Sequence, residues 1–344
     1  MTDSELTKFI ISASVDADFL PEDAQDEPEA TLEVELRHVS VPLENHGSRL
    51  DKTLAALVPE FSRSYLQQLI EGGGVSVRGC TNLKVSAKVK AGDKLSVELR
   101  PTPQSQSFNP EAMTLDIVYE DDHLLVINKP AGLVVHPAPG NWSGTLLNGL
   151  LAHDPQASFM PRAGIVHRLD KDTSGLMVVA RQRQTMDQLV SMIAARTVSR
   201  EYIALGHGAW DGAKTRQVDV PIGRDPRNRL RMAVVDLDKN AGKGALTVIS
   251  VLDSVDAFCL VKCRLHTGRT HQIRVHMAHL KHSLVSDELY GGARAGNLER
   301  QALHACRLAF THPVTGKAME FKSSLPPDLL SAVAGFGLRY TQAI

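Results

Sequence analysis

Residues 167–180 read HRLDKDTSGLMVVA, and two textures meet inside them. His167, Arg168, Asp170, Lys171 and Asp172 crowd into the first half, while Leu176–Ala180 is an unbroken apolar run. A short apolar run bounded by Gly175 reads as a strand covered on both faces. The charged residues in front of it then form an irregular loop carried on a rigid strand, a placement that favours reacting side chains. A charged surface turn is the alternative that composition alone leaves open.

Outward from this stretch, the chain from LDIVYEDDHLLVINKP (115–130) to the C-terminus is rich in strand-like segments. Helices are predicted around 144–153, 184–196 and 268–281. There is no internal repeat and no regular strand–helix alternation, so this part is expected to be an α+β domain spanning 114–335. Upstream, GSRLDKTLAALVPEFSRSYLQQLIEGGGVSVRG (47–79) places Leu50, Leu54 and Leu57, then Leu66, Leu69 and Ile70, at helical spacing. Ser62 is placed to cap the second helix, and Gly72–Gly74 to end it. VSVRG and KVKAGDKLSVEL (88–99) alternate as short strands with a turn at Gly92-Asp93. These features define a small unit over 45–106, followed by a linker at 107–113 at the end of the Pro-, Ser- and Gln-rich stretch 100–113.

The formal net charge of −1 conceals an asymmetry. Residues 1–40 hold eleven acids against Lys8 and Arg37, so the remaining 304 residues carry a net +8. An acidic leader over 1–38, poor in aromatics, is expected to be disordered. A basic body behind it suits a polyanionic partner, since phosphate neutralisation dominates sequence-independent nucleic-acid affinity. No apolar run approaches the roughly 18 residues needed to span a bilayer, and the N-terminus lacks a basic flank and apolar core, so a cytoplasmic protein is expected. Cys80, Cys259, Cys263 and Cys306 form no disulfide framework; Cys259 and Cys263 read as buried strand residues, with no second ligand pair at zinc spacing.

A second dense stretch, CRLHTGRTHQIRVHMAHLKH (263–282), carries Arg264, Arg269, Arg274 and five histidines. His276, His279 and His282 are three apart, which spreads them around a helix with no accompanying carboxylate, so no metal site is expected. The loop GRDPRNRLRM (223–232) clusters Arg224, Arg227, Arg229 and Arg231.

NKPAGLVVHP (128–137), HRLDKDTSGL (167–176), REYIALG (200–206), LHTGRTHQIRVHMAH (265–279) and LYGG (289–292), in this order, resemble the catalytic domain of the RluA-type pseudouridine synthases. RLDKTLA, SRSYLQQLI and AGDKL resemble the S4 RNA-binding domain. Two departures stand out: Arg78 where the S4 pattern has Asn before Gly, and Ser286 and Glu288 around Asp287, where the synthase pattern has Gly and Pro.

The resemblance implies an S4-like domain followed by a mixed, mainly antiparallel sheet with flanking helices. It implies isomerisation of uridine to pseudouridine in large-subunit ribosomal RNA, in the helix 69 loop, by a monomer that needs no cofactor. Asp170 matches the family's catalytic acid, as nucleophile or as base for a sugar proton. Arg274 matches its paired arginine and Tyr202 the aromatic that stacks on the target base. Arg168 matches the residue that fills the gap left by a flipped base. Lys129, Arg49, Arg63, Arg224, Arg227, Arg229, Arg269 and His271 are candidate RNA contacts. Two rivals remain: a non-catalytic ribosome-assembly protein, and a glycoside hydrolase, which needs two carboxylates where one is matched.

Overall fold

The computed structural model describes residues 35–59, 61, 63–99, 107–138 and 140–341, and the chain divides into two compact units, Met1–Gln106 and Ser107–Ile344. In the first, β1 (Glu35–Ser40) is followed by α1 (Leu50–Leu57), α2 (Arg63–Glu71), β2 (Val75–Val77) and β3 (Lys94–Leu99). The three strands form an antiparallel sheet in the order β1-β3-β2. Leu50 and Leu54 of α1, Leu66 and Ile70 of α2 and Leu95 and Val97 of β3 meet in one buried core. The helical spacing read from the sequence thus turns both helices onto the same face of the sheet.

The predicted leader lies outside the described residues up to position 34, but its assigned bound of 38 is too long. Glu35–Ser40 pairs along β3, where the ladder satisfies its backbone. Ser62 also lies outside the described residues. Arg78 and Gly79 both have positive φ, and Val77 and Cys80 exchange backbone hydrogen bonds around them. This is a two-residue hairpin turn of the kind that favours Asn-Gly, which accounts for the Asn of the S4 pattern.

The second unit begins with β4 (Ile117–Glu120), β5 (Leu124–Lys129), α3 (Leu146–His153), β6 (Ser174–Ala180), α4 (Arg183–Ala194) and β7 (Ser199–His207). It continues through β8 (Thr215–Asp219), β9 (Ile222–Arg224), β10 (Met232–Val234), β11 (Gly242–Lys243), β12 (Leu246–Val255) and β13 (Phe258–Leu265). It ends with α5 (Gln272–His279), β14 (Leu303–Thr311), β15 (Ala318–Lys322) and α6 (Pro327–Gly335). Nine strands form a mixed sheet, β4-β5-β6-β14-β7-β13-β12-β8 with β15 on β14, in which only β6 and β14 run parallel. A small sheet β10-β9-β11 stands apart.

All seven residues of β6 are buried because its side chains feed two cores. Met177 and Val179 pack with Leu146, Leu147 and Leu150 of α3 on one face, and Leu176 and Val178 with Leu189 of α4 on the other. Gly175 fixes where the charged loop hands over to this strand. Its φ is +117° and a Cβ would lie 2.3 Å from the Ala305 carbonyl oxygen, so only glycine allows β6 so close to β14.

Two sequence-based bounds change here. Residues 107–113 are no free linker: the buried Asn148 side chain donates to the carbonyls of Ser107 and Asn109, and Met113 packs against Gly149. The helix expected over 268–281 is shorter, because His271 takes a left-handed conformation (φ 55°) immediately before α5.

Candidate active site

The 167–173 loop is held by its backbone, which frees its side chains. Lys171 O accepts from Gly132 N and from Lys129 Nζ, and Asp172 O accepts from Arg300. Thr173 N closes a turn on Asp170 O, and Gln301 Nε2 donates to the Thr173 hydroxyl. At the other end, Val178 N donates to His167 Nε2. That bond places the proton of a neutral His167 on Nδ1, and burial pushes its pKa down to about 3, so the ring stays neutral.

Asp170 projects from this frame with 17 % of its side chain exposed. Arg274 of α5 donates to it from Nη1 at 3.2 Å. The guanidinium is held from its other edge by Asp287, at 2.7 Å from both Nε and Nη2, and lies 5.0 Å from the centre of the Tyr290 ring. Burial works against the charge on Arg274, but the carboxylates of Asp287 and Asp170 outweigh it and hold the group firmly protonated. The fork-on-fork pairing fixes the guanidinium plane, so Arg274 meets Asp170 as a pre-oriented donor. His271 Nε2 is 3.8 Å from the second oxygen of Asp170, while its Nδ1 is 2.8 Å from the Tyr290 hydroxyl, which accepts from Met232 N. Burial lowers the pKa of His271 against the pull of Asp170.

These groups open onto a cavity of about 800 Å³. Tyr202, on β7, contributes a wall and is 5 % exposed. Burial raises its phenol to about 12, so at neutral pH it keeps its proton and offers a flat ring and a hydroxyl donor. Among the described residues six arginines line the cavity, Arg162, Arg168, Arg196, Arg200, Arg269 and Arg274, and Asp170 is the only carboxylate. A single carboxylate in a strongly cationic cleft suits a polyanion that presents an uncharged base.

Comparison with known proteins places this geometry. The family model described as RNA pseudouridylate synthase matches residues 123–279. "Ribosomal large subunit pseudouridine synthase D" of Neisseria meningitidis serogroup B is 49% identical over 304 residues, covering 85% of this chain and 79% of that protein. The chain belongs to the RNA pseudouridylate synthase family. The protein of the same name in Pseudomonas aeruginosa is 46% identical over 307 residues, covering 86% of this chain and 93% of that one. Among solved structures, "Human RNA Pseudouridylate Synthase Domain Containing 1" superposes with a TM-score of 0.51 at 28% identity, covering 64% of this chain and 87% of that one.

In this RNA pseudouridine synthase the matched family region contains Asp170, Tyr202 and Arg274 but stops before Asp287 and Tyr290. The fold brings the first three together with His271, Arg168 and Arg269. Arg168 is exposed at the cavity rim, and Arg269 is half-buried with Nε donating to Gly244 O. Lys129 is a correction: it is 1 % exposed, and its ammonium donates to the carbonyls of Pro130, Leu133 and Lys171. Burial lowers its pKa to about 8, and with all three protons spent on carbonyls it pins the 167–173 loop and has none to offer a phosphate.

Arg224, Arg227 and Arg229 stand exposed at and beyond the end of β9, outside the cavity lining. Arg49 and Arg63, in the first unit, are each half exposed and both pair with Asp51. The spaced histidines do not converge: His276 contacts Thr247 and Val220 O, and His282 contacts His207 O. Among the described residues no cluster of three or more His, Cys, Asp or Glu could hold a metal, and no helix is long and apolar enough to cross a membrane.

Asp287 and Tyr290, which hold Arg274, and Arg200, which lines the cavity, were not among the residues singled out in the sequence. Asp287 and Tyr290 sit in LVSDELYGG, whose departure from the pattern drew attention to loop shape alone. The signal for Arg200 was its place two residues before Tyr202, which puts both on one face of a strand.

Proposed function

We propose that the enzyme isomerises uridines of large-subunit ribosomal RNA, within the helix 69 loop, with Asp170 as the reacting acid. The observation that carries the site assignment is the isolation of Asp170: among the described residues it is the sole carboxylate of a cavity lined by six arginines, and its paired Arg274 is oriented by Asp287. The ribosomal substrate is supported by the name "Ribosomal large subunit pseudouridine synthase D" that the Neisseria meningitidis, Pasteurella multocida and Pseudomonas aeruginosa relatives carry. Uridine gives up its N1–C1′ bond, the uracil turns, a C5–C1′ bond forms, the C5 proton leaves and N1 takes up a proton, so substrate and product are isomers. Asp170 serves as nucleophile at the sugar or as base for a sugar proton, Tyr202 supports the extruded uracil, and Arg168 fills the space left in the RNA stack. Arg274 holds the Asp170 carboxylate in its reacting orientation.

The first unit serves as an S4-like RNA-binding domain. Arg49, just before α1, and Arg63, the first residue of α2, stand half exposed in a unit with a three-stranded sheet, in keeping with the S4 pattern. Arg224, Arg227 and Arg229 contact phosphates from their exposed loop, and Arg269 and His271 line the path to Asp170. The enzyme works as a cytoplasmic monomer on free RNA or an assembling subunit.

Mapping pseudouridine in ribosomal RNA from cells lacking the gene, complemented with wild type or Asp170→Asn, tests this. Loss at helix 69 positions restored by wild type alone is expected. Unchanged pseudouridine throughout that RNA would sink the substrate, and restoration by the variant would sink the role of Asp170.

A further inference from the structure

Arg200 is 6 % exposed, yet it forms no hydrogen bond or ion pair with any described residue, and its Nε is sealed from solvent. Every other deeply buried guanidinium or ammonium near the site is matched: Arg274 by two carboxylates, Lys129 by three carbonyls. A buried cation without a counter-charge is costly, and folding alone gives no reason to place one here. Its surroundings add no anion. Glu201, its neighbour in sequence, points to the opposite face of β7 and pairs with Arg307 and Lys262, and Asp170 is taken by Arg274.

The local architecture holds the guanidinium at the cavity wall. Its backbone lies between β13 and β14, opposite Leu265 and Leu308. Gly268 packs directly over it: a Cβ there would come 2.9 Å from Nη1. Arg200 and Tyr202 are two residues apart on one strand face, so they stand about 6.6 Å apart along the wall. Both residues line the cavity, so a nucleotide whose base lies against Tyr202 has a backbone phosphate within reach of Arg200.

We propose that Arg200 is the binding site for a backbone phosphodiester beside the target uridine, the substrate supplying the counter-charge that the protein withholds. This rests on the cavity being the reacting site. A buried guanidinium can take a phosphate through two parallel N–H donors. Because the anion arrives only with RNA, the free enzyme carries the cost of the unpaired charge, and a bound strand in register relieves it.

The test uses the full chain carrying Asp170→Asn, so that binding is read without turnover, and a large-subunit ribosomal RNA fragment as probe. Arg200→Met should weaken affinity on the order of tenfold and lower the slope of log Kd against log salt by about 0.7, the share of one phosphate on single-stranded RNA. Arg200→Lys should restore the slope. Without RNA, Arg200→Met should melt a few degrees higher than its parent, because a buried unpaired charge has been removed.

An unchanged salt slope overturns the proposal, as does a lower melting temperature, which would make Arg200 a structural residue. Inorganic phosphate raising the melting temperature of the parent while the RNA slope stays unchanged would assign Arg200 to a free anion, and overturns it as well. The site reading fails separately: it falls if Asp170→Asn alone, with Arg200 intact, still forms pseudouridine.

Discussion

Asp51 and Asp170 are both aspartates beside arginines, one in each unit, and the way they are held separates a structural acid from the one proposed to react. The Asp51 side chain is wholly buried and accepts from Arg49, Arg63 and Gln67. The Arg49 hydrogen bond leads the effects that drive its pKa far below the usual carboxylate range, against the cost of burial. Its lone pairs are spent, and nothing remains for a substrate. Asp170 has one hydrogen bond from a guanidinium that is itself committed to Asp287, and it faces a cavity. Saturation makes a carboxylate a joint; partial satisfaction with a fixed neighbour leaves it able to react.

Asparagine at each position breaks the comparison most sharply. Asp170→Asn is expected to lower the rate of pseudouridine formation on the order of 10³-fold or more. It should change stability by no more than about 1 kcal/mol, since Arg274 keeps Asp287. Asp51→Asn should do the reverse, costing the first unit about 1–3 kcal/mol by under-satisfying two arginines and Gln67. RNA binding then weakens while the chemical step at saturating RNA persists. Single-turnover rates and denaturant unfolding check both; an Asp51→Asn protein that binds RNA normally but cannot react would erase the distinction.

The two sites were unequally legible in the sequence. Asp170, Tyr202 and Arg274 came with the family motifs, and the unbroken apolar run of Leu176–Ala180 placed the strand. The partners that make Asp170 work are remote: Arg274 is 104 residues away and its anchor, Asp287, a further 13. Such pairs depend on tertiary closure, which no local pattern encodes. Lys129 misled for a related reason. A lysine before proline in a polar loop looks solvated, and only the folded turn shows three carbonyls converging on it. The bound of the leader failed where β1 adds to β3, because a short polar strand with an exposed face, following directly on the acids of the leader, looks like more of a disordered tail.

Acid sharpens the contrast between units. In the second unit, burial lowers His276 and His304 to about 4, and His136 and His167 to about 4 and 3. The unfolded chain binds these protons near pH 6.5, whereas the folded chain does not until about pH 4. The stability they confer is therefore complete above pH 6.5 and lost as pH falls through that window. The fully buried His276 and His304 each add up to about 1.4 kcal/mol per pH unit to the slope. In the first unit, Asp51 keeps its full contribution above its unfolded value near 3.9 and loses it only as pH falls further. Trp142 and Trp210, both in the second unit, report its unfolding by fluorescence, and amide exchange reports the first. The second unit should weaken between pH 6.5 and 4.5 while amides of α1 and α2 hold; parallel losses would contradict the assignment.

The smallest expected effect tests whether departures from family patterns are tolerated alike in both units. Arg78 and Ser286 both adopt positive φ, 51° and 60°, at the two places where the related patterns have Asn and Gly. Each is a strain of about 1 kcal/mol or more that the better-suited residue would relieve. They differ in compensation. The Arg78 guanidinium pairs with Asp93, and its Nε donates at 2.6 Å, although the arginine is 62% exposed. Ser286 offers its hydroxyl only to Ala295 N at 3.4 Å, a weak contact. Arg78→Asn should therefore gain turn preference and lose an ion pair worth at most about 1 kcal/mol, a net change within about 0.5 kcal/mol of zero. Ser286→Gly should stabilise its unit by roughly 0.5–1 kcal/mol, because little is given up. Paired unfolding curves in low and high salt decide it. The Arg78→Asn change should shift toward stabilisation in high salt, where the wild-type ion pair is screened, and the Ser286→Gly change should not move.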